Sequence, residues 1–325
     1  MEITRRTFGL GVAASGAVLA APAIAASTEV TLKLGHLANE KNPWHLASLK
    51  FGEELAKLTD GKVKVEVYPN ESLGKEIDLI NGMQLGTVDM TITGESLQNW
   101  APMAALLAVP YAFKTQDQMD AFAVSETGKM IEQQIIEKVQ IRPIGFFARG
   151  PRELTSNEPF KSPDDLNGLK MRVPNVPLFI DVWKSLGARP SPMAFSEVFT
   201  ALQNGTIGAQ ENPLALIRSA SFYEVQKYVN LTDHVRSWIY TTISEIAWKK
   251  LSSEQQQAVM AAAKTAQAYE RGLFEKSLAD DRKFLEDHGM TFVEVDKAAY
   301  QSKAKDAVLS NVNDEIKPIV EKLFS

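Results

Sequence analysis

Hydrophobic residues along the chain follow two patterns, one with a period of two and one near 3.6. Val30, Leu32 and Leu34 alternate with polar residues, which predicts a half-buried strand. Helical spacing follows from Trp44 to Leu58, and alternation returns over 63–67. This strand–helix–strand order predicts a βαβ unit with parallel strands. The loop after the first strand then lies at the carboxyl edge of a sheet, where open α/β folds bind ligands.

The same patterns extend the first unit into a parallel α/β lobe. They predict a helix over 75–85, a strand over 88–93, a helix near 129–138 and a strand over 141–147. The run Arg149-Gly150-Pro151-Arg152 follows, and its Gly-Pro step indicates that the chain crosses over and that the first lobe ends here.

A second α/β run begins after this crossing. We predict a strand over 169–173, helices over 177–186 and 195–204, and a short strand over 209–211.

A long helix is predicted from Ser252 to about His288. This stretch contains no proline, and Ser252 and Gln255 form a capping box. Such a helix is roughly 55 Å long, which is longer than one lobe of this size. We therefore expect it to run along both lobes.

Composition and charge narrow the class of protein. Of 325 residues, 45% are hydrophobic and 23% charged, as in a folded globular protein. Lys and Arg number 35 against 40 Asp and Glu, so the net charge of −5 argues against nucleic acid as a partner. The absence of cysteine excludes thiolate chemistry, iron–sulfur clusters and disulfides. The four histidines have no metal-ligand spacing, and we expect neither a metal nor a cofactor.

The first residues have the features of an export signal. Arg5-Arg6 precedes an uncharged stretch rich in Ala and Gly over 8–21, and small residues follow at 23–26. This order is typical of a twin-arginine signal peptide, with cleavage after Ala25. We therefore expect the mature protein to work in the periplasm or outside the cell.

One arginine stands where a ligand anion could bind. Arg172 alternates away from Met171 and Val173 at the carboxyl end of its predicted strand, just before Pro174. A guanidinium meets a carboxylate with two parallel hydrogen bonds, which makes arginine suited to an anionic ligand. A solvated or salt-bridged strand arginine is the alternative.

Four ordered motifs follow one another along the chain. They are Pro151-Arg152-Glu153-Leu154-Thr155-Ser156-Asn157, Asp164-Asp165-Leu166-Asn167-Gly168-Leu169-Lys170-Met171-Arg172-Val173-Pro174, Pro192-Met193-Ala194-Phe195-Ser196-Glu197-Val198 and Gln210-Glu211-Asn212-Pro213. These motifs resemble those of one family, the solute-binding proteins of tripartite ATP-independent periplasmic (TRAP) transporters of the dicarboxylate- and sialate-receptor type. The resemblance covers essentially the whole mature chain.

The resemblance implies roles for particular residues. Arg172 matches the arginine that pairs with the ligand carboxylate, and Arg152 matches a second arginine of the cleft. Asn212 matches an amide that hydrogen-bonds the same carboxylate region, and Phe195 an aromatic wall against the carbon skeleton. Glu76 and Glu95 fall near positions that contact ligand hydroxyls in sialate receptors. Apart from the resemblance, His45 lies at the start of the first helix, next to the predicted ligand edge, where it could donate to the ligand or cap and pack locally.

The same resemblance implies a two-lobed α/β fold of the periplasmic-binding-protein type, with a ligand cleft between the lobes and a long helix spanning both. We expect the first lobe to comprise 26–150 plus about 238–277, and the second 151–237 plus about 278–325. Such a receptor closes on an organic acid and delivers it to the membrane permease subunits of an ion-gradient-driven transporter. We expect a monomer, and a sensor kinase is an alternative partner.

The acidic residues expected in the cleft limit the chemical class of the ligand. Glu76 or Glu95 facing the cleft would repel a second carboxylate but accept hydrogen bonds from hydroxyls, which favours a hydroxylated monocarboxylate such as a uronate or aldonate. A four-carbon dicarboxylate or sialate is the alternative within the family. A secreted hydrolase of a carboxylated substrate, with one of these acids as acid/base, is the alternative from another class. No nucleophile elbow or metal pair accompanies those acids, and we predict a receptor without catalytic residues.

Overall fold

The computed structural model describes residues 29–325, which contain two β-sheets surrounded by helices. The leader predicted at 1–25 lies outside these residues. The strands are β1 (Val30–Gly35), β2 (Val63–Tyr68), β3 (Met90–Thr93), β4 (Ile141–Ala148), β5 (Arg152–Ser156), β6 (Lys170–Val173), β7 (Arg189–Pro192), β8 (Ala209–Pro213), β9 (Tyr228–Val235), β10 (Trp238–Ser244) and β11 (Thr291–Val293).

The first sheet has five strands in the order β2-β1-β3-β10-β4. β1 pairs in parallel with β2 and β3, as the βαβ pattern predicts. β10 runs antiparallel to both β3 and β4, so the prediction of a wholly parallel first lobe is wrong. All seven residues of β10 are buried, and its aromatic and β-branched side chains suit a central strand covered on both faces. Its neighbouring strands lie far away in the sequence, so local hydrophobic periodicity does not predict this pairing.

The second sheet has six strands in the order β11-β9-β5-β8-β6-β7. β6 is parallel to β7 and β8, whereas β5 is antiparallel to β8 and β9. The sequence patterns did not identify β5 or β9. The predicted crossing is confirmed, because the segment Arg149-Gly150-Pro151 leads from β4 in the first sheet to β5 in the second.

Helices cover both sheets. They are α1 (Pro43–Leu58), α2 (Glu76–Leu85), α3 (Gln116–Ala123), α4 (Glu126–Val139), α5 (Pro177–Ser185), α6 (Phe195–Gln203), α7 (Leu214–Ser219), α8 (Glu245–Lys250), α9 (Ser253–Asp287), α10 (Lys297–Asn311) and α11 (Lys317–Leu323). None of the helices between residues 29 and 325 is both long and apolar enough to cross a membrane.

The 35-residue α9 confirms the predicted long helix and its capping box. The hydroxyl of Ser252 accepts from the backbone N–H of Gln255 at 3.2 Å, and the Gln255 side chain accepts from the N–H of Ser252 at 2.9 Å. Val259 and Ala262, in its N-terminal half, are buried in a core that includes residues of β1 and α1. Leu285, near its C-terminal end, is buried with residues of α6 and β9. One helix thus contributes to the cores of both lobes.

Candidate binding site

A cavity of about 420 Å³ lies between the two sheets. Segments that follow or end strands line much of it, as expected where the carboxyl edges of strands face a cleft. Six of the seven residues predicted from the sequence line this cavity: Glu76, Glu95, Arg152, Arg172, Phe195 and Asn212.

Arg172 is a buried cation without a carboxylate partner. Its side chain is on β6 and only 4% exposed. Nε and Nη2 donate to the backbone oxygen of Met193 at 3.1 and 2.9 Å, and within residues 29–325 no carboxylate lies within 4.0 Å of the guanidinium. Burial lowers its pKa to about 10. A buried, uncompensated charge is costly, so this position strongly favours an incoming anion.

The positive charge of Arg152, in contrast, is already balanced by a carboxylate within the fold. Its guanidinium is 1% exposed and donates through Nε and Nη2 to the carboxylate of Glu211, which also bonds Nε2 of His234 at 2.9 Å. Burial opposes ionisation of Glu211, but Arg152 and His234 outweigh it and lower the pKa of this carboxyl to about 2. Arg152 therefore offers a ligand a hydrogen-bond donor rather than a free positive charge.

Arg149 is a cavity residue to which the sequence reasoning assigned no role in binding. It follows β4 at the crossing, and its Nη1 donates to both oxygens of Glu95 at 2.8 and 2.6 Å. The two side chains are 5% and 6% exposed. Burial alone would raise the pKa of Glu95, but Arg149 and Arg152 together hold it below its ordinary value. Glu95 therefore faces the cavity as an ionised acceptor.

Glu76 is the first residue of α2 and is half-buried at the cavity wall. One of its oxygens accepts from the Thr93 hydroxyl at 2.7 Å. Burial, followed by the nearby charge of Glu95, raises the pKa of the Glu76 carboxyl. A carboxyl group that is easier to protonate can donate to a ligand hydroxyl as well as accept from one.

Asn212 and Phe195 complete the wall formed by the second lobe. The Asn212 amide donates to Gln210 at 2.7 Å, and its oxygen accepts from Arg152 at 3.2 Å, which orients the side chain. Phe195 begins α6 and packs edge-on against Phe222, with ring centroids 5.7 Å apart. The ring provides an apolar surface beside the polar groups, as small-molecule sites commonly require.

His45, which the sequence offers either as a ligand donor or as a residue that packs locally, is not among the residues that line the cavity. It lies in the first turn of α1, and its Nδ1 is 3.2 Å from Nε2 of His36. Burial lowers the pKa of His45, which favours the neutral ring. The side chain is held by this local hydrogen bond instead of turning toward the cleft.

The cavity mouth is bridged by contacts between the lobes that the sequence did not reveal. Lys75, just before α2, pairs with Glu197 of α6 at 2.7 Å, and Glu71 accepts from the backbone N–H of Ser196 at 3.1 Å. Among the described residues, no cluster of three or more histidine or acidic side chains is placed to hold a metal ion.

Comparisons with known proteins place this architecture in a family. The family model for the bacterial extracellular solute-binding proteins, family 7, matches residues 34–315. A solute-binding protein of Roseobacter denitrificans is 70% identical over 325 residues, which is 100% of both chains.

Two solved structures are similar over nearly the whole described chain. A TRAP periplasmic solute-binding protein from R. denitrificans with bound L-galactonate is 73% identical, with a TM-score of 0.91, covering 92% of this chain and 99% of that one. Another from Haemophilus influenzae, with bound L-gulonate, is 32% identical, with a TM-score of 0.85, covering 91% and 99%.

The chain therefore belongs to the family 7 bacterial extracellular solute-binding proteins, and it has their two-lobed fold. The family consists of receptors of transporters and not of enzymes, so the hydrolase alternative is set aside. Its members are periplasmic proteins that bind small organic acids.

Proposed function

We propose that this protein is the receptor of a TRAP transporter for a hydroxylated monocarboxylate, with a six-carbon aldonate such as L-galactonate as the leading candidate. The observation that carries the proposal is Arg172, a buried guanidinium on the cavity wall with no carboxylate partner among the described residues. A ligand carboxylate supplies the missing negative charge and accepts from the guanidinium.

The remaining residues of the cavity suit a chain of hydroxyl groups. Glu95 and Glu76 are acceptors, whereas Arg152 and Asn212 bring guanidinium and amide N–H groups to the cavity wall. Phe195 faces the carbon skeleton. A plain four-carbon dicarboxylate would leave these acceptors without hydroxyl partners and would bring a second negative charge near Glu95. The ligands of the two similar structures, L-galactonate and L-gulonate, support the same chemical class.

Capture and closure are coupled in this arrangement. Arg172, Asn212 and Phe195 come from elements of the second sheet's lobe, whereas Glu76 comes from the first. We assign 26–150 and about 238–277 to the first lobe, and 151–237 and about 278–325 to the second. A ligand bound to both lobes stabilises the closed form, and exclusion of water strengthens the charge-assisted hydrogen bonds.

Calorimetric titration of the mature chain tests this function. We expect saturable 1:1 binding of L-galactonate, with weaker binding of succinate and sialate, and NMR should show the ligand unchanged. Failure to bind any uronate or aldonate, or tighter binding of succinate than of every hydroxylated monoacid, would refute the assignment.

The closed receptor would deliver its ligand to membrane permease subunits, and the leader would bring it to the periplasm. The Arg5-Arg6 pair supports export by the twin-arginine route. Replacing both arginines by lysine in the full-length chain should retain the unprocessed protein in the cytoplasm, whereas normal processing of that variant would exclude this route.

A further inference from the structure

Glu95 and Arg149 form an ion pair at the cavity wall, separate from the unpaired guanidinium of Arg172. Glu95 and Arg149 are both almost completely buried, and one nitrogen of Arg149 bridges the two carboxylate oxygens. The guanidinium carbon of Arg149 also lies 5.4 Å from the ring centroid of Trp44, within the range of a cation–π contact.

Burying such a pair is not an efficient way to stabilise a protein. The cost of removing two charges from water roughly cancels their attraction, and apolar residues of similar size often serve as well. Glu95 and Arg149 both line the ligand cavity, so their charges act directly on whatever binds there.

Counting the buried charges around the cavity shows what the pair does. The fold brings together three guanidiniums, those of Arg149, Arg152 and Arg172. Glu95 pairs with Arg149, and Glu211 pairs with Arg152. Among these five buried charges, that of Arg172 is left without a partner, which is an excess of one positive charge. Glu76 is only half-buried and forms no ion pair with any of the three guanidiniums, and burial and the charge of Glu95 raise its pKa.

We propose that the Glu95–Arg149 pair limits this site to ligands with a single negative charge, so that Arg149 is a specificity-determining residue. Arg149 keeps Glu95 available as a hydroxyl acceptor while cancelling its repulsion of the ligand's carboxylate. Glu95 in turn cancels the cation that would otherwise attract a second carboxylate. The inference rests on the proposed function and extends it from a ligand class to the residues that enforce that class.

The test compares two ligands that share one carbon skeleton. L-Galactonate has one carboxylate, and galactarate has a second carboxylate in place of the terminal hydroxymethyl group. Dissociation constants for both are measured by calorimetry at one pH and ionic strength, for the wild type, Glu95→Gln, Arg149→Met and the double variant. The ratio of the two constants reports selection by charge and is insensitive to the fraction of folded protein.

The expected results differ in direction among the variants. Wild type should prefer galactonate by about tenfold or more, since a second carboxylate meets no free cation. Glu95→Gln frees the charge of Arg149, so this preference should shrink by about tenfold. Arg149→Met leaves Glu95 with only Arg152, whose Nη1 lies 3.4 Å away and which already pairs with Glu211, so both ligands should bind at least about tenfold more weakly, galactarate most of all. The double variant contains no charge at the pair and should recover about tenfold in galactonate affinity over Arg149→Met.

A matched control is the ion pair of Arg142 and Glu245, which joins β4 to α8 at 2.7 Å and does not line the cavity. Arg142→Met should leave both dissociation constants unchanged. If the double variant binds galactonate no better than Arg149→Met, or Glu95→Gln leaves the ratio unchanged, the pair is only structural and the inference is wrong. If the wild type binds neither galactonate nor galactarate, the proposed function is wrong as well. Failure of the inference alone can therefore be distinguished from failure of the proposed function.

Discussion

Removing the charge of Arg172 should stabilise the empty protein while weakening its complex. Burial lowers the pKa of this guanidinium to about 10, so the folded state holds the cation at a cost. At ~1.36 kcal/mol per pKa unit, this cost is about 3 kcal/mol. The Arg172→Gln variant avoids it, but gives up at least one hydrogen bond to Met193, worth about 1 kcal/mol. We expect a net gain of about 1–2 kcal/mol in the free energy of unfolding without ligand.

The same substitution should have the opposite effect on binding. Truncating one partner of a buried, hydrogen-bonded charge pair costs about 2–5 kcal/mol, which corresponds to a loss of affinity for L-galactonate of about 30-fold to several thousand-fold. Arg172→Lys keeps the charge but not the two-pronged geometry, and we expect it to fall between wild type and Arg172→Gln.

Thermal melting without ligand and calorimetry with L-galactonate measure the two effects independently. The Arg172→Gln variant should melt a few degrees above wild type, at about 2–4 °C per kcal/mol. Arg142→Gln, which breaks a pair outside the cavity, should not change affinity. Unchanged affinity in Arg172→Gln, or a lower melting temperature without ligand, would show that Arg172 is not an unpaired cation that binds the ligand anion.

Three further substitutions test other features. Burial raises the pKa of Glu270 to about 8, so the contribution of this group to stability should be greatest below about pH 4.3 and be lost as pH rises to about 8, by at most ~1.4 kcal/mol per pH unit. The difference between wild type and Glu270→Gln in a denaturant series should show this loss, and parallel pH profiles would contradict it. Lys75→Met removes the contact with Glu197 at the cavity mouth and should speed ligand dissociation by about two- to fivefold in stopped flow. This difference between variant and wild type should disappear in 1 M salt, and its persistence there would exclude an electrostatic origin. Apart from its chain neighbours and the nearby backbone of α9, a Cβ at Gly272 would meet no atom within 4 Å, so Gly272→Ala should stabilise the protein by about 1 kcal/mol in chemical denaturation; destabilisation would mean that the helix needs this glycine.

The elements that local patterns predict are those whose contacts repeat at short sequence distances. α1 and α9 have an apolar face at helical spacing and a polar N-cap, and both form as predicted. The alternation around Arg172 also places it correctly at the carboxyl end of β6, lining the cavity. These patterns depend only on neighbouring residues, so the elements that they predict also form in the folded chain.

Other features depend on partners that are distant in the sequence. β10 is inserted between β3 and β4, and no local period indicates this antiparallel return. The role of Arg149 becomes visible only when its partner Glu95, 54 residues earlier, is placed beside it. The local contact of His45 is another such feature, because its ring bonds His36, nine residues earlier, and it does not line the cavity.

The long α9 limits how receptors of this design can be recombined. Because one uninterrupted helix packs into both of these hydrophobic clusters, the lobe boundary that we propose passes through the helix rather than only through loops. A chimera that takes one lobe from a relative must therefore exchange the matching part of this helix too, or each core will face side chains selected for a different neighbour. We therefore expect hybrids with a junction inside α9 to keep both clusters better packed than hybrids joined only in loops.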